Sequence, residues 1–244
     1  MKCARAFTLI ELLVVISVIA VLMGILMPVL HTSRSSALRM KCLSNMRNME
    51  VAHWMYMTDW EGSFVNVGLA HGGAHAQEEV AWIRTLQPYY KDRLLYRSPV
   101  DKSPHWPAEE GGRAIPVPPS TDQFRRTSYG INNYLSTIAP DKPYRQLSQV
   151  PRPSGTVHFL IMAFEGPYAG ADHPHVETWY VPGREDSPPV KAAGQIQTNA
   201  HGGEPKSWDA RSNYGFLDGH AEPRMFRDVY ANWQRNSFDP AVAY

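Results

Sequence analysis

The feature that most constrains this chain is the run from Phe7 to Leu30, where Leu, Ile, Val, Ala and Met dominate and Glu11 is the one acid. At about 1.5 Å rise per residue, such a run is long enough to cross a hydrocarbon core of about 30 Å. Three readings from hydropathy alone compete for it. A secretory signal peptide has a shorter apolar core, about 7–15 residues, followed by a small-x-small cleavage site, and "MPVLHTSRSSA" is a poor version of one. A buried core helix would show polar periodicity, which the run lacks. A plain membrane anchor fits the hydropathy but leaves Glu11 unexplained, because an acid at the centre of a membrane helix costs about 2.5–3.5 kcal/mol on insertion scales. Its orientation is also ambiguous: Lys2 and Arg5 precede the span, whereas Arg34, Arg39 and Lys41 follow it.

Downstream the pattern changes. Leu38, Cys42, Met46, Met49, His53, Tyr56 and Trp60 recur at spacings of four and three, which predicts an amphipathic extension of the same helix to about residue 60. His53 reads as a packed histidine and Cys42 as a small core residue. Pro28 lies inside the predicted helix, and together with Gly24 it marks a point of kinking or local melting, or alternatively the end of the membrane span. The rest of the chain reads as short strands and long Pro/Gly-rich loops. The expected elements are a short helix in "EEVAWIRTLQPYY" (78–90), a buried strand in "GTVHFLIMAFEG" (155–166) and a second strand in "VETWYVP" (176–182). A hairpin is expected in "NYGFLDGHAEPRMF" (213–226), with Asp218 and Gly219 as a two-residue turn of positive φ. The stretches 103–122 and 182–194 read as loops. The fold class is therefore α+β, a long N-terminal transmembrane helix packed on a small antiparallel sheet with long loops.

At its N-terminus, "ARAFTLIELLVVISVIAVLMGILMP" resembles type IV prepilins and type II secretion pseudopilins: a short basic leader, a small residue, Phe-Thr-Leu-Ile-Glu and an apolar helix. The resemblance implies a pilin-like fold with a leader over residues 1–6, a membrane helix over 7–30, its amphipathic extension over 31–60 and a globular domain over 61–244. It also implies cleavage between Ala6 and Phe7 and methylation of the new amine, both by prepilin peptidase. Other pilin-like subunits and an inner-membrane assembly platform are the further partners it implies, with the protein a single-pass resident of the bacterial inner membrane and its soluble domain on the periplasmic or extracellular side. Ala6 departs from the family's usual Gly, which bears on the efficiency of processing. Glu11 becomes an assembly residue, its carboxylate paired with a neighbour's free α-amine in apolar surroundings; the competing reading is an acid that snorkels to the headgroups.

A second resemblance spans nearly the whole chain. "CLSNMRNMEVAHWMYMTDWEGSF", "WIRTLQPYY", "LLYRSPVD", "TSYGINNYL" and "AHGG…NYGFLDGHAE" are similar to prepilin-like proteins with a C-terminal processing-associated His-x-Asp-Gly domain. His201 then belongs to the family motif. Two departures stand out. Ser98-Pro99-Val100-Asp101 replaces Cys-Pro-Ser-Asp, which removes a disulfide at that position, and the spacing from His201 to Asp218-Gly219 is longer than usual.

No chemistry of catalysis is legible. There is no Gly-x-Ser-x-Gly, Walker loop, Gly-x-Gly-x-x-Gly or His-Glu-x-x-His, so no enzyme activity and no cofactor are expected. Lys+Arg (24) and Asp+Glu (23) nearly cancel, and no basic stripe appears, which argues against a nucleic-acid partner. Only Cys3 and Cys42 are present, too few for a disulfide scaffold. His71, His75, His173, His175, His201 and His220 lie near Asp172, Glu177, Asp218 and Glu222, yet in Pro/Gly-rich loops without diagnostic ligand spacing. Asp209, Asp218 and Glu204 are equally undiagnostic for calcium. No metal site is expected. Trp106, Trp179 and Trp208 are either exposed contacts for sugars and partner proteins or anchors of loops. The alternative to a filament subunit is a membrane-anchored extracytoplasmic binding module for a carbohydrate, metal or envelope partner.

Overall fold

A computed structural model describes residues 8–69, 79–90, 96–136 and 144–244. Ala6, Phe7, His71 and His75 lie outside the described residues. The first element, α1, is a 51-residue helix, Leu9–Asp59. The chain divides into two compact units, Met1–Met40 and Lys41–Tyr244.

In the first unit α1 exposes every large apolar side chain from Leu9 to Leu30, from 45% at Ile19 to 81% at Leu9. It is the one helix among the described residues that is long and apolar enough to cross a membrane. Helical structure is continuous through Gly24 and Pro28. Thr32 Oγ1 donates to the Pro28 carbonyl (3.0 Å), one of the i−4 side-chain bonds that occupy helix carbonyls in apolar surroundings.

In the second unit the rest of α1 is a core helix. Cys42, Met46, Met49 and His53 are fully buried, as their spacing predicts, while Trp60 is 57% exposed. Trp60 leaves the stripe because the helix ends at Asp59, where Glu61 and Gly62 take positive φ (53° and 80°) and the Gly62 N–H donates back to Met57 O (2.8 Å). That closing bond satisfies an orphan helix carbonyl.

Among the described residues the sheet is fragmented into three antiparallel pairs. β1 (Tyr129–Ile131) pairs with β2 (Phe159–Ile161), β3 (Arg211–Gly215) with β4 (Ala221–Met225), and β5 (Tyr230–Asn232) with β6 (Arg235–Asn236). A bridge between Val157 and Phe216 joins the first pair to the second. Because successive strand side chains point to opposite faces, β2 serves two cores. Phe159 and Ile161 pack with Cys42, Met46 and Met49, while Leu160 and Met162 pack with Trp179, Tyr214 and Phe238. A run buried on both faces is apolar without alternation, as in "FLIM".

Three expectations need correction. Residues 176–182 form no strand: Val176–Thr178 is a 3-10 turn, bent so that Trp179 buries completely and its indole N–H reaches Gln195 Oε1 (2.9 Å). Within 182–194 lies a helix, α3 (Ser187–Ala193), with Pro188 and Pro189 in its first turn, where a missing N–H costs nothing. The helix expected over 78–90 is shorter, α2 (Trp82–Thr85) followed by a 3-10 turn, Gln87–Tyr89. Trp106 and Trp179 are buried anchors, and Trp208 packs on the second core.

Candidate functional site

Glu11 closes the start of α1. The Thr8 N–H and hydroxyl both donate to Glu11 Oε2 (2.9 and 2.7 Å), and the Glu11 N–H donates to Thr8 Oγ1 (3.2 Å). This is a reciprocal capping box, Thr-x-x-Glu, which satisfies helix N–H groups that otherwise lack partners. It was legible in "TLIE", where the family resemblance drew attention to the charge alone. Both bonds fall on one carboxylate oxygen.

At Gly24 an added Cβ would meet nothing within 4 Å, so nothing among the described residues requires a glycine there. The Gly24 carbonyl is the group that a residue at position 28 would bond in a regular helix, and Pro28 has no N–H to offer. The two positions singled out for weakness are thus the two ends of one missing hydrogen bond.

In the second unit, the hairpin tip differs from expectation. The Phe216 N–H donates to His220 O (2.8 Å) and the Gly219 N–H to Phe216 O (2.9 Å), which makes a three-residue loop, Leu217–Gly219. Only Gly219 has positive φ (97°); Asp218 does not, and its Oδ1 instead accepts the His220 N–H (3.1 Å). This is the glycine-bulge form of hairpin. His201 lies at the hairpin's other end, its N–H donating to Arg211 O (2.9 Å), so the structure places the motif histidine apart from Asp218 and Gly219.

Ser98 sits where the resemblance implies a cysteine. Its Oγ is 3.5 Å from Cys42 Sγ, and both residues are buried. Burial pushes the Cys42 thiol up, away from the reactive thiolate. Asp101, from the same segment, accepts from the buried Arg125 Nε (2.7 Å) and from Ser128 Oγ (2.6 Å). Nearby, a cleft of about 650 Å³ is lined by Arg84, Arg97, Arg126, Glu109, Trp106 and Phe124. The Arg97 guanidinium lies 4.7 Å from the Trp106 ring centroid.

The most unusual cluster was not anticipated. Glu50, His53 and His158 are each fully buried. Glu50 Oε2 and His158 Nδ1 are 2.7 Å apart, and the two imidazoles are 4.2 Å apart between centroids. Burial drives both imidazoles toward the neutral form, His158 down to about 3, and holds the Glu50 carboxyl well above the usual carboxylate range. Among the described residues, both His53 nitrogens and His158 Nε2 have no hydrogen-bond partner. Each buried group left unpaired costs about 1–3 kcal/mol. Of the histidines considered for metal binding from sequence, His173 and His175 instead contact Asp172 (2.9 Å) and Glu177 (3.1 Å).

Residues 1–27 match the family model described as the prokaryotic N-terminal methylation motif. No curated protein and no solved structure matches the chain. The motif is that of prepilin-like proteins and covers residues 1–6, the expected leader, and most of the apolar run; the resemblance of the C-terminal part lies outside it.

Proposed function

Proceeding from that motif, we propose that this chain is a structural subunit, cut between Ala6 and Phe7, N-methylated, and assembled through its N-terminal helix into a type II secretion pseudopilus or type IV pilus-like filament. The observation that carries the proposal is the coincidence of the methylation motif with a helix whose large apolar side chains from Leu9 to Leu30 are all exposed. A surface of that kind is covered by lipid or by other helices. Gly24, where an added Cβ would meet nothing among the described residues, permits close approach of a neighbouring helix, and the bond missing between Gly24 and Pro28 lets the helix bend or stretch there. With Thr8 on Oε2, the Glu11 carboxylate has its other oxygen for the α-amine that cleavage creates on an adjacent subunit. The soluble unit then faces the periplasmic or extracellular side. Prepilin peptidase and the inner-membrane platform are its processing and assembly partners.

Intact-mass analysis of the protein recovered from membranes tests the reading. Loss of "MKCARA" with addition of one methyl group is the expected result. A full-length, unmethylated chain in a host with active prepilin peptidase would overturn it. The arginine-lined cleft favours a second reading, an anchored binding module for an acidic carbohydrate. Thermal stabilisation of the full-length chain by acidic oligosaccharides, lost in Arg97→Ala, is the result that reading requires.

A further inference from the structure

We propose that Glu50, His53 and His158 bind one divalent transition-metal ion of the zinc class, held between α1 and β2. Each residue offers one ligand atom, and the three atoms lie within 4.8 Å of one another. The placement follows from the fold. Glu50 and His53, three residues apart on α1, share one helix face, and His158 immediately precedes β2, whose face toward α1 begins with Phe159.

The donor set selects the ion. Two imidazoles and a carboxylate suit zinc and its neighbours, whereas calcium and magnesium take oxygen ligands. Both His53 nitrogens lack a partner among the described residues and are open to an ion, and a neutral imidazole is the ligating form. Space beside the carboxylate is kept by Gly215, where an added Cβ would come within 2.4 Å of Glu50 Oε1. The ion takes the place of the proton shared by Glu50 and His158 Nδ1, and that proton leaves to solvent. Three protein ligands leave one position of a tetrahedral ion, which under full burial only a water molecule can fill. The site is therefore a structural staple between helix and strand. It stands independently of filament assembly.

The test uses the untagged full-length chain in detergent, stripped with a chelator and then titrated with Co²⁺ or Zn²⁺ alone. The expected result is visible cobalt absorption saturating at one equivalent, displaced by Zn²⁺, and a thermal midpoint raised by roughly 5–10 °C at a hundredfold excess over Kd. His53→Phe, which fills the space but cannot ligate, should lose the cobalt signal and the zinc-dependent shift. His220→Ala, at the exposed hairpin tip, should keep both. If His53→Phe does not fold, Glu50→Gln, close in shape, replaces it and should weaken binding at least tenfold. Absence of binding by the wild-type chain overturns the proposal, and so does binding that survives His53→Phe or Glu50→Gln.

Discussion

Glu11 and Glu50 belong to the same helix and have opposite surroundings. Glu11 sits on an exposed, apolar stretch and is satisfied locally by Thr8, three residues away. Glu50 is fully buried and is satisfied by His158, far away in sequence, and more weakly by the Phe159 N–H. An acid with a local partner is independent of the tertiary fold and free to serve a second chain. An acid with a distant partner is part of the fold. One secondary structure thus carries two kinds of carboxyl group, and only the tertiary context tells them apart.

The largest expected effect breaks this comparison at its outer end. Glu11→Ala should leave membrane insertion and the thermal midpoint of the soluble unit unchanged but abolish co-assembly, read by crosslinking or filament recovery. Glu11→Gln sharpens the test, since glutamine also serves in a capping box: it should fail to assemble, and normal assembly would show that the cap matters and the charge does not.

At the inner end, Glu50→Ala should insert normally yet destabilise the soluble unit by about 3–5 kcal/mol, because it opens a cavity and leaves His158 Nδ1 unpaired; denaturant unfolding measures it. Ser98→Cys acts on the same half of α1 in the other direction. Placed beside Cys42, the new thiol should form a disulfide under oxidising conditions and stabilise the unit by about 2–4 kcal/mol, reversibly with reductant. The smallest effect returns to the exposed half. Gly24→Ala should change unfolding by less than about 1 kcal/mol, the helix-propensity difference, while impairing assembly if a neighbouring helix packs there.

What the sequence made legible was what local pattern controls. The apolar run and the stripe from Cys42 to His53 state their periodicity within a few residues, and Asp-Gly marks the hairpin, though not its three-residue loop. Trp179 shows the limit. "VETWYVP" has the composition of a strand, but burial of one indole against Phe226, Tyr230 and Phe238 bends it into a turn. Pro188 and Pro189 looked like loop residues because two prolines suppress a helix everywhere except in its first turn, where they stand. For the buried cluster, a Glu-x-x-His pair on an apolar stripe was a readable signal. Its third member, His158, sat inside an apolar run and only folding brings it to the other two.

β2 contributes alternate side chains to two hydrophobic cores. Neither core can lose its packing while the other keeps that strand in place, so the soluble unit should melt in one cooperative step, with fluorescence from Trp82 in the first core and Trp179 in the second reporting the same transition. All seven residues from Val157 to Ala163 are under 4% exposed, and five of them, Val157, Phe159, Leu160, Ile161 and Met162, divide between the two cores, so one short segment makes two cores a single cooperative unit.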